Sequence, residues 1–133
     1  MVFADTGAFI AYHVERDQYH EVGSEIWEGL RRVPVVTTNH VFNETLTLLA
    51  RRIGYATAAA IAEQILGSAT IDILYASEED VRGAIHYFRK FADQRVSFTD
   101  CISFAVMKRH RLHTAFTFDR HFLNAGFRVI GLA

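Results

Sequence analysis

Ser97-Phe98-Thr99-Asp100-Cys101-Ile102-Ser103-Phe104-Ala105-Val106-Met107-Lys108-Arg109-His110 is the stretch that decides the fold. Phe104, Ala105, Val106 and Met107 fall at about 100° steps right round a helix axis, and a helix apolar on every side belongs inside a protein. The stretch predicts a buried helix. Its charges sit at the ends: Lys108, Arg109 and His110 suit the negative C-terminal pole, and Asp100 suits the free N–H groups of the first turn. Ser97-x-x-Asp100 also matches a capping box. An acidic residue at a helix start is ordinary, so Asp100 acquires meaning only from its company.

Outward from this helix, short apolar runs alternate with helical periodicity. Val2-Phe3-Ala4 reads as a strand stopping at Asp5, and Thr6-Gly7 turns into a helix carrying Ala8 to Tyr12. After a polar loop over 13–18, Val22, Ile26, Trp27 and Leu30 recur at helical spacing. Val33-Pro34-Val35-Val36-Thr37 makes a second strand, and Thr38-Asn39 offers capping side chains to a helix whose Phe42, Leu46, Leu49 and Ile53 share one face. Glu44 lies nearly opposite that face and enters a cleft only if the second face also meets the fold. Gly54-Tyr55 interrupts before an alanine-rich helix from Ala56 to Leu66, closing a hairpin of small residues suited to close packing or to a partner. Thr70 to Leu74 alternates as a strand. Ser77-Glu78-Glu79-Asp80 opens a helix with Val81, Ile85, Phe88 and Ala92 toward the core, its acids reading as helix-start charges. Thr114 to Phe118 is a strand ending at Asp119, followed by a turn at Arg120-His121-Phe122-Leu123 and a last strand from Phe127 to Ile130. This pattern predicts an α/β fold, a three-layer α/β/α sandwich around a central, mostly parallel sheet of about five short strands.

A chain of 133 residues fits one domain over 1–133, large enough to bury about two-thirds of the surface its unfolded form exposes. Half its residues are hydrophobic, there is one proline, and no low-complexity tract or solenoid-length repeat is present. Its apolar runs are far short of a membrane span, and Met1-Val2-Phe3-Ala4-Asp5 lacks the cationic segment of a secretory signal. A cytoplasmic protein with no membrane partner is expected. The single cysteine, Cys101, cannot form an internal disulfide, which suits a reducing compartment. Fourteen cations against fifteen acids give a net charge of −1, which excludes a strongly basic nucleic-acid binder. If four acids were committed to a metal, however, the cations would outnumber the rest. Twelve of the fourteen are Arg, whose fork grips phosphate with two donors at once.

Under the predicted fold, Asp5 and Asp119 end two strands while Asp100 and Glu44 begin or enter two helices. Helices start where the preceding strands finish, so all four acids reach one rim, the edge at which open parallel sheets bind ligands. Carboxylates a few ångströms apart repel, and without a cation some must take up protons. A divalent ion relieves this, and an all-oxygen donor set suits Mg²⁺ or Mn²⁺. Such a site does phosphoryl chemistry by activating a water and steadying the leaving oxygen, with no nucleophilic side chain.

Asp5-Thr6-Gly7-Ala8 after the first strand, Asn43-Glu44 in the helix after the second, Thr99-Asp100 opening a late helix, and Thr117-x-Asp119-x-x-Phe122 resemble the PIN domain nucleases. Each motif is short, and their order and spacing across nearly the whole chain carry the likeness, which is greatest to the VapC toxins of toxin–antitoxin pairs. The resemblance implies a metal-dependent endoribonuclease cutting single-stranded RNA, with Asp5, Glu44, Asp100 and Asp119 as catalytic and metal-binding residues and Mg²⁺ or Mn²⁺ as cofactor. It also implies a homodimer and inhibition by a cognate antitoxin protein, with the hairpin over 39–66 serving those contacts. By the same likeness Thr6 and Thr117 support the acids, a role that fits the need for hydrogen bonds behind metal ligands. Arg51, Arg95, Lys108 and Arg120 are the candidate contacts to the RNA backbone.

Rival readings are weaker. Asp-Thr-Gly-Ala also opens the active loop of retroviral-type aspartic proteases, but those are all-strand dimers and this chain is mostly helical by periodicity. A receiver domain needs an acidic pair after the first strand, an Asp ending the third and a late-strand Lys, whereas here Asp5 stands alone and strand three ends at Leu74-Tyr75. The seven histidines form no HExxH set, although His40 and Glu44 are one helical turn apart. The remaining alternative is a non-catalytic module of the same fold that binds RNA or a protein. A purely structural rim, however, has no reason to hold four repelling charges.

Overall fold

A computed structural model of the chain describes residues 1–132. Its centre is the stretch quoted above. Ser97 Oγ accepts the Asp100 N–H at 3.1 Å and starts a helix, α6, over Phe98–Arg109. Every residue from Asp100 to Met107 in it is buried, as a helix apolar all round requires.

The other elements are β1 (Val2–Ala4), α1 (Thr6–His13), α2 (His20–Gly29), β2 (Val35–Thr38), α3 (Asn39–Ile53), α4 (Tyr55–Leu66), β3 (Ile71–Leu74), α5 (Glu78–Lys90), β4 (Thr114–Phe116), α7 (His121–Asn124) and β5 (Arg128–Ile130), with a 3₁₀ turn at Ala92–Gln94 before α6. The five strands form one sheet in the order β3-β2-β1-β4-β5, with every pairing parallel. Central β1 and β2 are buried at every position, as strands covered on both faces must be. Right-handed crossovers put α1 to α4 on one face and α5 to α7 on the other, giving the three-layer sandwich. Phe104, edge-on to Phe122 at 4.9 Å, anchors α6 and α7 to the second face. Among the described residues no helix is long and apolar enough to cross a membrane.

The elements depart from their sequence patterns in four informative places. The second strand starts at Val35 rather than Val33, and the fourth ends at Phe116, so Thr117, Phe118 and Asp119 form a loop beyond the sheet. On α3 the most buried stripe is Val41, Thr45 and Leu49, and Glu44 therefore borders the core face instead of opposing it. On α5 the core face is Asp80, Ala84 and, just past its end, Phe91, whereas Ile85 and Phe88 are exposed. The core-facing set Val81, Ile85, Phe88 and Ala92 is thus corrected. Gly83 and Ala84 let α5 lie close to α6, where a Cβ at Gly83 would be 3.4 Å from that of Ala105.

Candidate active site

In an open parallel sheet, ligands bind beyond the carboxyl ends of the strands where the order of winding reverses. Here that point lies between β1, which winds outward through β2 to β3, and β4, which starts the other half. Asp5 follows β1 directly, its N–H bonded to the Phe116 carbonyl of β4 at 3.0 Å. The Thr117–Asp119 loop follows β4. The N-termini of α3 and α6 complete the rim.

A cavity of about 330 Å³ occupies this place, and Asp5, Glu44, Asp100 and Asp119 all line it, with Thr6, Thr117, Asp17, Tyr19 and Phe118 among its other walls. The four acids singled out from the sequence therefore meet in one hollow. Among the described residues no Lys or Arg lines it, and none of the four acids is paired with one. A second cavity of about 370 Å³ lies between α1, α2 and the α4–β3 connection; Glu28 is its only acid.

Hydroxyl groups orient the carboxylates. Thr117 Oγ1 donates to Asp5 Oδ2 at 2.8 Å and accepts the Asp119 N–H at 3.1 Å, so one side chain fixes two acidic segments. Thr6 Oγ1 donates to Glu44 Oε1 at 2.6 Å, which turns Glu44 across the helix interface toward α1. Asp5 is at the N-cap position of α1 without making a side-chain cap, and its buried Oδ1 has no hydrogen-bond partner. A buried oxygen left unpaired costs about 1–3 kcal/mol, a cost that a functional partner would remove.

The electrostatics follow from this crowding. Burial pushes the Asp5 carboxyl up to about 6 against the lowering effect of Thr117, with Asp119 and Glu44 adding repulsion. Asp100 is pushed up to about 9, first by burial and then by Asp5 and Asp119. Without a cation both hold protons that ordinary aspartates would release.

Asp100, Asp119 and His121 each offer one ligand atom, all within 4.8 Å of one another, a grouping that could hold a metal ion. His121 Nδ1 lies 3.0 Å from Asp119 Oδ1 but off the line of a hydrogen bond, and is otherwise unpartnered. The sequence reading passed over this histidine; its one signal is its place two residues after Asp119, whose Oδ1 accepts the His121 N–H at 2.8 Å. The unpaired Asp5 oxygen, the unpaired His121 nitrogen and the raised carboxyls all fit a divalent cation held among oxygen donors with one nitrogen nearby.

The four candidate backbone contacts lie outside the cavity. Arg120 is exposed at the rim beside Asp119, Arg51 is exposed two turns along α3 from Glu44, and Arg95 is exposed with left-handed backbone (φ 56°) before α6. Lys108 is exposed near the opposite end of α6, about 12 Å along the axis from Asp100.

Comparison with known proteins agrees with this geometry. Residues 2–128 match the model of the PIN domain. The chain is 34% identical over 127 residues, 96% of its length and 95% of the relative's, to the 23S rRNA-specific endonuclease VapC20 of Mycobacterium tuberculosis. It superposes on the crystal structure of that protein, described as a Sarcin-Ricin loop cleaving toxin, with a TM-score of 0.88, 31% identity and 96% of each chain covered. A toxin–antitoxin complex from Klebsiella pneumoniae, at 14% identity and TM-score 0.70 over 98% of this chain and 96% of that one, shares the fold. So does VapBC2 from Rickettsia felis, at 11% identity and TM-score 0.72 over 98% of each chain. The chain belongs to the PIN domain family and, within it, resembles the VapC toxins.

Proposed function

We propose that this protein is a metal-dependent endoribonuclease that cuts single-stranded RNA, acting in the cytoplasm as the toxin of a toxin–antitoxin pair. One observation carries the reading: Asp5, Glu44, Asp100 and Asp119 share a cavity that no Lys or Arg lines. A fold gains nothing from collecting unneutralised acids, and the arrangement is explained by a cation that arrives with function. Similarity to an rRNA-specific endonuclease supports RNA as the substrate class.

In this reading Asp5, Asp100 and Asp119, with Glu44 across the cleft, would hold Mg²⁺ or Mn²⁺, with His121 beside them. The bound ion supplies Lewis-acid activation of a water and neutralises charge on the leaving oxygen. The chain's own part is to fix the donors. Thr117 keeps the Asp5 and Asp119 segments in register, and Thr6 holds Glu44 toward α1. To serve as ligands, Asp5 and Asp100 would have to be ionised, releasing the protons that burial and repulsion otherwise keep on them. Arg120, Arg51 and Arg95 are the proposed phosphate contacts near the rim, and Lys108 could meet only a distant part of a longer RNA. The α3–α4 hairpin is the proposed surface for a second copy and for the antitoxin. Its small-residue face and the exposed Tyr55 and Leu66 on α4 suit protein contact, and toxin–antitoxin complexes among the structural neighbours support it.

The test is cleavage of single-stranded RNA with Mg²⁺ or Mn²⁺ by the native protein and by Asp5→Asn and Asp100→Asn. Cleavage is expected to stop with EDTA and to fall at least a hundredfold in either variant. Cutting that ignores EDTA or survives both substitutions rejects the mechanism. RNA binding without any cutting would instead identify a non-catalytic module of the same fold.

A further inference from the structure

The loop between α1 and α2 ends in an aromatic ring that the mechanism above leaves unused. Tyr19 stands in the wall of the carboxylate cavity and stacks on Phe118 with ring centroids 4.2 Å apart and planes 2° from parallel. Phe118 is the residue between Thr117, which holds Asp5, and Asp119. The stack is therefore joined through one peptide bond on either side to the acidic site.

Both rings are fixed. Around Phe118 the chain places three glycines, whose absent Cβ atoms would lie 3.7 Å (Gly7), 3.6 Å (Gly23) and 3.3 Å (Gly131) from its ring. Phe116 meets Phe118 edge-on at 6.0 Å. The Tyr19 N–H donates to Asp17 Oδ2 at 3.0 Å, its carbonyl accepts the Gly23 N–H at 2.7 Å, and Arg52 holds the other Asp17 oxygen at 2.9 Å. With one face against Phe118, Tyr19 is still 37% exposed. Tyr12, Tyr55 and Tyr75 are more exposed, but none of them lines the cavity.

A wall of acids without Lys or Arg has little of its own to hold a polyanion. A flat, rigid, uncharged surface can contribute affinity there, because every unpaired base has a face that stacks on an aromatic ring, whatever its identity. We propose that Tyr19, backed by Phe118, is the stacking platform for one unpaired nucleobase beside the scissile phosphodiester. This rests on the reading of the site as an RNA nuclease. As a contact to a base face it positions the strand and does not select its sequence.

Two measurements test it. In cleavage of single-stranded RNA, Tyr19→Leu keeps an apolar cover on Phe118 but removes the ring, and is expected to raise KM roughly tenfold while kcat stays within about twofold. Tyr19→Phe is expected to behave as the native protein. Independently of cutting, a single-stranded oligonucleotide carrying 2-aminopurine is titrated in an Asp100→Asn background that keeps it intact. Fluorescence quenching is expected with Tyr19 and with Tyr19→Phe, and is expected to be lost with Tyr19→Leu, or with Tyr19→Met if the leucine variant does not fold. Equal quenching in all variants overturns the platform even if KM changes, since the loop would then matter only for shape. If the native protein cuts nothing, the nuclease reading fails while the quenching still decides whether a base stacks on Tyr19.

Discussion

The chain contains the same four-residue pattern twice, Ser77-x-x-Asp80 and Ser97-x-x-Asp100, and the two aspartates have opposite fates. At the first, the box closes: Ser77 Oγ accepts the Asp80 N–H at 3.2 Å and Asp80 Oδ2 accepts the Ser77 N–H at 2.8 Å. Arg109 adds two further hydrogen bonds, at 2.6 and 2.8 Å, and these, against the raising effect of burial, hold Asp80 down to about 2. At the second, only the serine half forms, and Asp100 is left among other acids with its carboxyl pushed up to about 9. The shared Ser-x-x-Asp pattern does not distinguish them; the difference comes from Arg109, 29 residues away, in one case and from burial beside Asp5 and Asp119 in the other. Opposite signs on pH follow. Asp5 and Asp100 have folded values above the ordinary 3.8 of an aspartate, so the metal-free folded chain binds more protons than the unfolded one, and stability falls as pH rises from about 4 through 6 and on toward 9. The stability contributed by Asp80 is present above about 4 and is lost as pH falls through about 2. With EDTA present, the melting temperature is expected to decline from pH 4 to pH 9, and Asp100→Asn to flatten that decline. At pH 8 the fold keeps a proton on Asp100 that the unfolded chain releases; asparagine is neutral in both states, so it removes that cost and should raise the melting temperature by on the order of 5 °C. A native profile level over this range, or a variant that tracks it, would contradict the account.

At the scale of elements, α6 was legible because its composition leaves a single option: a helix with buried residues at every position from Asp100 to Met107 has to be central. The phase of α5 was not. Reading large apolar residues inward selects Ile85 and Phe88, but two helices in close contact need small residues where they touch, and α5 turns Gly83 to Ala105 and buries Ala84. Periodicity weighs side chains by hydrophobicity and cannot see that a missing side chain is the packing feature. The pair makes a measurable distinction. Gly83→Val should force α5 off α6 and cost about 1–3 kcal/mol, whereas Ile85→Ser on the exposed side should change stability by less than about 1 kcal/mol. Urea midpoints at constant slope report both, and the reverse order would restore the face read from the sequence. The Asp80–Arg109 pair clamps the same helices at the end of α6 remote from Asp100. Arg109→Met is therefore expected to lower the melting temperature by several degrees while RNA cleavage per folded molecule stays within about twofold. Loss of cleavage without loss of stability would show that this end of α6 serves the site directly.

At the scale of the whole molecule, the meeting of the four acids was legible from topology, because strand ends and helix starts share one edge of a parallel sheet. What topology cannot give is detail within loops: that the Thr117 hydroxyl serves Asp5 and Asp119 together, that His121 turns back on Asp119, or that Tyr19 lies flat on Phe118. Those depend on turns of two or three residues with no periodicity to read. The whole fold is nonetheless coupled to the site, since β1, β4, α3 and α6 each deliver an acid to it, and a ligand there acts on global stability. A cation that binds only the folded chain stabilises it by about 2.7 kcal/mol at a hundred times its dissociation constant, on the order of 10 °C for a domain of this size. Protons compete for the same oxygens, because burial and repulsion keep Asp5 and Asp100 protonated to about 6 and about 9. The rise in melting temperature with saturating Mn²⁺ should therefore be small at pH 5 and large at pH 8, and in Asp100→Asn both its size and its dependence on pH should shrink. An equal rise at both pH values, or in both proteins, would mean that the cation stabilises the chain from somewhere other than the cavity where the four acids meet.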